Sequence, residues 1–109
     1  MPDYYVVRQK RGPDWDHTRG RREQDGWDEH AAFMDALVDD GVIVLGGPVG
    51  DVNGEETLLV VDVESEEDIR ARLAPDPWAG TLLTLVSVEP WTVWLRNPAG
   101  SATTGQKPV

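Results

Sequence analysis

The chain has 109 residues, a length typical of a single domain with one hydrophobic core. It has no cysteine, which excludes a disulfide framework, a thiol nucleophile and a thiolate metal site. Its formal net charge of −10 argues against nucleic acid and anionic membranes as partners. The longest apolar run, residues 81–88, is too short to span a bilayer, and the N-terminus lacks the apolar segment of a signal peptide. We therefore expect a cytoplasmic protein without a membrane or nucleic-acid partner.

Strand-forming residues open the chain, and Tyr4 to Gln9 predicts the first strand. Residues 11–24, rich in charge with glycine and proline, predict a mobile loop, although Trp15 within it is expected to fold back onto the body. The composition of this loop is typical of a solvated segment. The alternative is a basic flap that attracts an anionic small molecule. Six of the ten basic residues fall in or just before this loop: Arg8, Lys10, Arg11, Arg19, Arg21 and Arg22.

Residues 27–40 predict an amphipathic helix that ends before Gly41, with Asp25 as its N-cap. His30 lies in the middle of the face that is otherwise apolar. Because a buried imidazole needs a hydrogen-bond partner, the identity of that partner decides the functional question. At 100° per residue this inward face comprises Trp27, His30, Ala31, Met34, Leu37 and Val38.

The middle of the chain predicts two strands joined by a turn. Val42 to Leu45 indicates a buried strand, and Gly46-Gly47-Pro48 indicates a bulge or a close backbone approach. These glycines lack the spacing of a dinucleotide-binding loop. Asn53-Gly54 predicts a tight hairpin turn, and Thr57 to Val63 the returning strand.

The last third predicts a short helix and a final strand. Ser65 to Asp68 resembles a capping box, opening a helix over Glu66 to Leu73. Thr81 to Val88 predicts the last main strand, and Trp91 to Leu95 a short extra one. Residues 97–109 have no apolar periodicity, so we expect a domain over residues 1–96 followed by a disordered C-terminal tail.

The element order β-α-β-β-α-β indicates an α+β, ferredoxin-like fold, in which two helices cover one face of a four-stranded antiparallel sheet. The strands are apolar on both faces: in the third strand Leu58 and Val60 alternate with Leu59 and Val61. The second face therefore needs a cover, and a face-to-face homodimer is the prediction.

An ordered set of segments between about residues 4 and 95 resembles the YCII-related (YciI-like) family. The matching segments are YYVVRQ, WDEHAAFMDALVDDG, VIVLGGPVGD, LLVVDVESEEDIRARL and DPWAG followed by the last strand. The resemblance implies a dimeric α/β-barrel fold. It also implies an active site built from a histidine on the first helix and an aspartate in an Asp-Pro-aromatic motif, here His30 and Asp76.

Residue chemistry agrees with this pairing. Asp76 precedes a proline, which favours extended backbone, and its carboxylate can accept from one ring nitrogen of His30. The other nitrogen then faces a pocket, where an imidazole held by a carboxylate is a competent general acid or base. Either Arg8 or the basic loop is expected to bind a carboxylate or enolate. The predicted substrate-binding residues are Arg8, Trp27, Gly46, Gly47 and Trp78.

The sequence hence predicts an enzyme without cofactor or metal. It would catalyse proton transfer, elimination or isomerisation on a small cyclic anionic metabolite. A buried, satisfied His30–Asp76 pair in a non-catalytic metabolite-binding or dimer-assembly module is the alternative. A cofactor-free oxygenase on the same architecture is a third hypothesis. Acidic residues around His17 do not have the spacing that indicates a metal site.

Overall fold

The computed structural model describes residues 1–98, which form one four-stranded sheet and two α-helices. Neighbouring strands are all antiparallel, in the order β2-β3-β1-β4, and this confirms the α+β ferredoxin-like fold. A short 3-10 helix, Arg21–Glu23, precedes the first α-helix. The elements are β1 (Tyr4–Arg11), α1 (Trp27–Asp39), β2 (Ile43–Pro48), β3 (Glu56–Val61), α2 (Glu66–Leu73) and β4 (Leu83–Trp91).

Both helices pack on the same face of the sheet, because they share one core with the central strands. Leu37 of α1 and Ile69 and Leu73 of α2 meet Val7 of β1 and Leu59 of β3 there. The predicted cap of α2 is confirmed, since the Ser65 hydroxyl accepts from the Asp68 N–H at 3.2 Å. Within residues 1–98, no helix combines the length and the apolar character needed to cross a membrane.

The N-cap of α1 is Gly26, so the prediction of Asp25 is wrong. Gly26 has a φ of 78°, in the left-handed region that glycine adopts without strain. A Cβ at this position would also lie 3.3 Å from the indole nitrogen of Trp78. The carboxylate of Asp25 is exposed, while its carbonyl oxygen accepts from Trp78 Nε1 at 2.8 Å. The start of α1 is thus fixed by a backbone turn that packs against a tryptophan.

The predicted inward face of α1 is only partly correct. His30 and Leu37 are buried, and Trp27 and Met34 are half-buried, but Val38 is 51% exposed. Val38 borders a cavity between α1 and β2, so helix and edge strand do not close on each other at this end. The helix ends before Gly41, as the sequence predicts.

The second strand is an edge strand rather than a buried one. Ile43 is buried, but Val44 and Leu45 are exposed, because no strand pairs with the outer side of β2 within residues 1–98. The bulge lies at Val44, where the pairing shifts from Ile43 opposite Val61 to Leu45 opposite Val60. The glycines do not form the bulge. Gly46 instead permits a close approach, since a Cβ there would lie 2.6 Å from Leu59 Cδ2.

Strand ends and connections differ from the sequence predictions in three places. β4 continues through Pro90 to Trp91, because an edge strand tolerates the missing N–H of proline. The predicted extra strand over 91–95 is wrong, since no strand follows β4 within residues 1–98. The connection from β2 to β3 spans residues 49–55, longer than a tight hairpin, and Gly54 N–H donates to Asp51 O at 2.7 Å within it. Of the predicted C-terminal tail, residues 99–109 lie outside the described residues.

The second sheet face carries apolar side chains that neither helix covers. By alternation and register, Val6, Leu45, Leu58 and Val60 lie on this face. Leu45 is 63% exposed, and Trp91 at the end of β4 is exposed beside Tyr4, with ring centroids 6.3 Å apart.

Candidate active site

His30 and Asp76 form a buried hydrogen-bonded pair, as the sequence predicts. His30 lies in the first turns of α1, and Asp76 follows α2. His30 Nδ1 lies 2.9 and 3.0 Å from the two carboxylate oxygens of Asp76, and each residue is 5% exposed. Because a carboxylate only accepts, the Nδ1–H of His30 donates, and Nε2 is left without a proton in the neutral ring.

The turn after α2 holds the Asp76 carboxylate in place. The backbone N–H of Trp78 donates to Asp76 Oδ1 at 3.0 Å, and the backbone N–H of Asp76 donates to Leu73 O at 3.1 Å. An Asp-Pro-aromatic segment thus folds into a turn closed by its own aspartate side chain. Because these hydrogen bonds restrict rotation of the Asp76 carboxylate, the carboxylate in turn fixes the orientation of the His30 imidazole.

Trp78 fixes the plane of the imidazole. Its ring stacks on that of His30, with centroids 4.0 Å apart and planes 6° apart, and the residue is 1% exposed. Trp15 packs edge-on against Trp78 at 5.8 Å, which confirms that this loop residue folds back onto the body. Trp78 does not border the cavity in front of His30, so the structure places it behind the imidazole rather than in a substrate-binding wall.

A cavity of about 490 Å³ lies between α1, β2 and β3, and His30 is part of its wall. This volume is within the range of small-molecule sites. Nδ1 makes all the hydrogen bonds of the imidazole within residues 1–98, so Nε2 is the nitrogen available to a molecule in the cavity. Apolar side chains form most of the wall, and the polar residues on it are Gln9, Arg21, His30, Asp35 and Thr57.

The structure brings together some of the predicted binding residues and separates one. Trp27, Gly46 and Gly47 line the same cavity as His30. Asp76 does not, but it borders a smaller space of about 160 Å³. Arg8 lies on the opposite sheet face, because it alternates with the inward-facing Gln9, and its Nε lies 3.4 Å from Glu89. Arg8 is therefore not placed to bind a molecule held beside His30.

Sequence reasoning missed Gln9, which is 6% exposed and borders both cavities. Its side chain has no hydrogen-bond partner within residues 1–98. Strand alternation carries the signal that could have found it, since Gln9 shares the helix-facing register of Tyr5 and Val7. A glutamine at a core position of a strand calls for a partner, as His30 does.

Arg21 is the basic-loop residue that reaches the cavity. It is half-buried, and its guanidinium carbon lies 5.2 Å from the ring centroid of Trp15 and 6.0 Å from that of Trp78. No carboxylate lies within 4 Å of it among residues 1–98. Burial, and secondly repulsion from Arg11, lower the pKa of Arg21 from its ordinary value. An arginine still remains charged near neutral pH.

A hydrogen-bond network connects the residues of the loop that carries Arg21, which the sequence predicts to be mobile. The buried Gln24 amide donates to Asp16 O at 2.8 Å and accepts from Asp16 N–H at 3.0 Å. The Asp16 carboxylate accepts from Thr18 N–H and hydroxyl at 2.9 and 2.6 Å and from Arg19 Nε at 2.9 Å. These bonds, with those from Thr18 first, lower the pKa of Asp16 to about 2.

Candidate metal ligands are not clustered in the described part of the chain. Residues 1–98 contain no group of three or more histidine, cysteine, aspartate or glutamate side chains that could hold a metal ion. For chemistry the site offers an oriented imidazole, and it also has a guanidinium with no carboxylate partner and an amide with no hydrogen-bond partner in the described part of the chain.

Comparison with known proteins gives one positive result. A family model described as the YCII-related domain matches residues 4–92, from the first residue of β1 to one residue beyond β4. No curated protein matches the chain. The match spans the sheet, both helices and every residue that borders the His30 cavity.

Proposed function

The chain belongs to the YCII-related family, and from this premise we propose that it is a cofactor-independent enzyme acting by acid–base chemistry. Its reaction is proton transfer, elimination or isomerisation on a small, cyclic, anionic metabolite. The observation that carries the proposal is an imidazole held on Nδ1 by Asp76 and bordering, on its other side, a cavity of ligand size. His30 is the catalytic residue, and Asp76 is the positioning residue.

The proton follows a simple path in this mechanism. His30 Nε2 takes a proton from a carbon of the bound substrate, and the electron pair of the broken C–H bond stays on the substrate as an enolate or expels a leaving group. The resulting imidazolium is stabilised by the Asp76 carboxylate at 2.9 Å and by the stacked face of Trp78. Return of the proton to a different carbon gives isomerisation, and its transfer to the leaving group completes elimination.

Loss of substrate C–H signals in D₂O tests this proposal even where the product is unidentified. Small cyclic carboxylates and keto acids are incubated with the protein and followed by proton NMR. We expect exchange catalysed by the wild-type chain and a loss of about 10²-fold or more in His30→Gln. Glu29→Gln, an exposed neighbour on α1, is the matched control. Exchange that His30→Gln leaves unchanged contradicts catalysis by His30.

A non-catalytic metabolite-binding or assembly module is the second candidate, favoured by the depth at which the pair is buried. A buried hydrogen-bonded pair between two elements can serve only to fix their packing. The exposed His17 is an internal reference in imidazole NMR spectra, because the chain has two histidines. Ligands that shift the His30 resonances, with no exchange or product from any of them, support the binding module.

We also propose that a second copy of the chain covers the open face of the sheet. Exposed Leu45 and Trp91 and half-buried Val6 and Leu58 lie on this face, where an antiparallel sheet with two apolar faces needs a cover. A twofold-symmetric, face-to-face dimer buries this surface on both copies at once and gives the dimeric α/β-barrel arrangement.

A further inference from the structure

The guanidinium of Arg21 and the amide of Gln9 border the His30 cavity, and neither has a hydrogen-bond or ion-pair partner within residues 1–98. Arg21 is half-buried, and Gln9 is 6% exposed. Buried or half-buried polar groups are ordinarily paired, so unpaired ones beside an oriented acid–base residue indicate a bound molecule that completes them.

The chain has twice as many acidic as basic residues, 20 against 10, yet Arg21 has no carboxylate within 4 Å among residues 1–98. Arg11, Arg22 and Arg96 also have none there, but they do not border the cavity. Four other arginines, Arg8, Arg19, Arg70 and Arg72, lie within 4 Å of a carboxylate. Arg21 instead lies over the rings of Trp15 and Trp78, which fix its position without neutralising its charge. A half-buried guanidinium held in this way matches a carboxylate or another planar anion.

Gln9 offers a different recognition chemistry. This buried residue borders the cavity, and its amide supplies both a donor and an acceptor. It therefore suits a hydroxyl or carbonyl oxygen. A neutral amide does not compensate a charge, so Gln9 recognises a second oxygen function and not the anionic group itself.

The apolar part of the wall restricts the shape of the ligand. The Trp27 ring lies on one part of this wall, and Gly46 and Gly47 present bare backbone on another. The acidic residue of the wall, Asp35, is exposed and does not come within 4 Å of Arg21. An aromatic side chain and a strand segment without side chains in one wall both favour a flat ligand.

We infer that Arg21 and Gln9 form a two-point receptor for a planar monoanion that carries a second oxygen, with Arg21 on the anionic group and Gln9 on the hydroxyl or carbonyl. This assignment rests on the proposed function and names the substrate class of the same cavity. It transfers the anion-binding role from Arg8, on the other sheet face, to Arg21.

Binding of simple aromatic probes tests the assignment separately from catalysis. Benzoate, 2- and 3-hydroxybenzoate and the neutral benzamide are titrated into the full chain, with backbone and imidazole NMR shifts as the readout. We expect a hydroxybenzoate to bind more tightly than benzoate, and benzoate more tightly than benzamide. Arg21→Gln should weaken binding of all three anions about tenfold or more and leave benzamide binding unchanged. Gln9→Leu should abolish the preference for the hydroxyl while keeping benzoate binding.

Two arginines serve as matched controls. Arg72 is an exposed residue of α2 that does not border the cavity, and Arg8 lies on the opposite sheet face. Arg72→Gln and Arg8→Gln should stay within about twofold of the wild type for every probe. Amide spectra establish that each variant is folded. If Arg21→Gln does not fold, Arg21→Lys replaces it, and we expect partial anion binding. If Gln9→Leu does not fold, Gln9→Glu replaces it, and we expect anion binding to be abolished.

The receptor and the proposed reaction fail in different ways. Equal binding of benzoate and benzamide, no binding of any probe by the wild type, or an Arg8→Gln defect as large as that of Arg21→Gln overturns the receptor. None of these results depends on turnover. Probe binding of the expected pattern with no proton exchange by any substrate supports the receptor and contradicts the proposed reaction.

Discussion

Replacement of Asp76 separates what its carboxylate does for stability from what it does for His30. In the folded chain Oδ1 accepts from two buried donors, His30 Nδ1 at 2.9 Å and the Trp78 N–H at 3.0 Å. Asp76→Ala removes the acceptor from both donors. Asp76→Asn keeps an oxygen in the same position, because an amide oxygen can take the place of Oδ1. The two variants thus differ in hydrogen bonding but share the loss of charge.

The magnitudes follow from those contacts. A buried donor left without an acceptor costs about 1–3 kcal/mol, and Asp76→Ala leaves two such donors, His30 Nδ1–H and the Trp78 N–H. For Asp76→Ala we expect a loss of about 3–5 kcal/mol in the free energy of unfolding, since the acceptor that both donors lose is charged. For Asp76→Asn we expect about 1–2 kcal/mol, since the Trp78 N–H keeps its acceptor at Oδ1, while the amide nitrogen takes the place of Oδ2, 3.0 Å from His30 Nδ1, and cannot accept from it.

Urea denaturation at fixed protein concentration measures both values, and an unchanged dependence on denaturant shows that the variants unfold in the same way. Asp62→Ala, an exposed aspartate after β3, is the control and should stay within about 0.5 kcal/mol. Proton exchange should fall strongly in Asp76→Asn although the protein remains folded. A cost for Asp76→Ala no larger than that of the control, or equal costs for Ala and Asn, refutes this account of the pair.

Two further predictions concern the loop and the open sheet face. Hydrogen bonds hold the Asp16 pKa at about 2 against an ordinary 3.8, so the loop stabilisation from this carboxylate is fully present above pH 3.8 and lost as pH falls through 2. Amide shifts around Thr18 should follow this step in the wild type and lack it in Asp16→Asn; an identical acid profile in the variant contradicts the role of the carboxylate. Leu45→Lys should convert a dimer into monomer in sedimentation analysis, while Val52→Lys, also exposed but in the β2–β3 connection, should not. A monomeric wild type removes the basis for the dimer.

Local sequence patterns determine the elements of this fold well. Hydrophobic periodicity of 3.6 and of 2 residues identifies both helices and the core of each strand, because these periods follow from backbone geometry. The boundaries are less accurate. Strand β4 continues through Pro90 because β4 lies at the sheet edge, and edge position is a property of the order β2-β3-β1-β4 that no local pattern contains. The same holds for Val44 and Leu45, which are apolar and yet exposed.

The candidate site, like the fold, could be predicted only in part from the sequence. His30 could be singled out because a histidine on an apolar helix face requires a partner, and the resemblance to a known family supplied Asp76. The choice among six basic residues between Arg8 and Arg22 could not be made from spacing, because it depends on which of them borders the His30 cavity in the folded chain. Gln9 could have been noticed by strand alternation, but only the packed structure shows that its amide has no partner within residues 1–98.

The distribution of satisfied and unsatisfied groups bears on whether His30 and Asp76 are catalytic or structural. The groups behind the imidazole are paired: Asp76 with His30 and Trp78, and the Trp78 indole with the Asp25 carbonyl. In front of the imidazole, Arg21 and Gln9 face the cavity unpaired within residues 1–98. A pair that served only to join α2 to α1 would gain from a closed, apolar neighbourhood on both sides. Satisfied groups that fix the ring, combined with unpaired groups that face a cavity, are the arrangement a proton-transfer site requires.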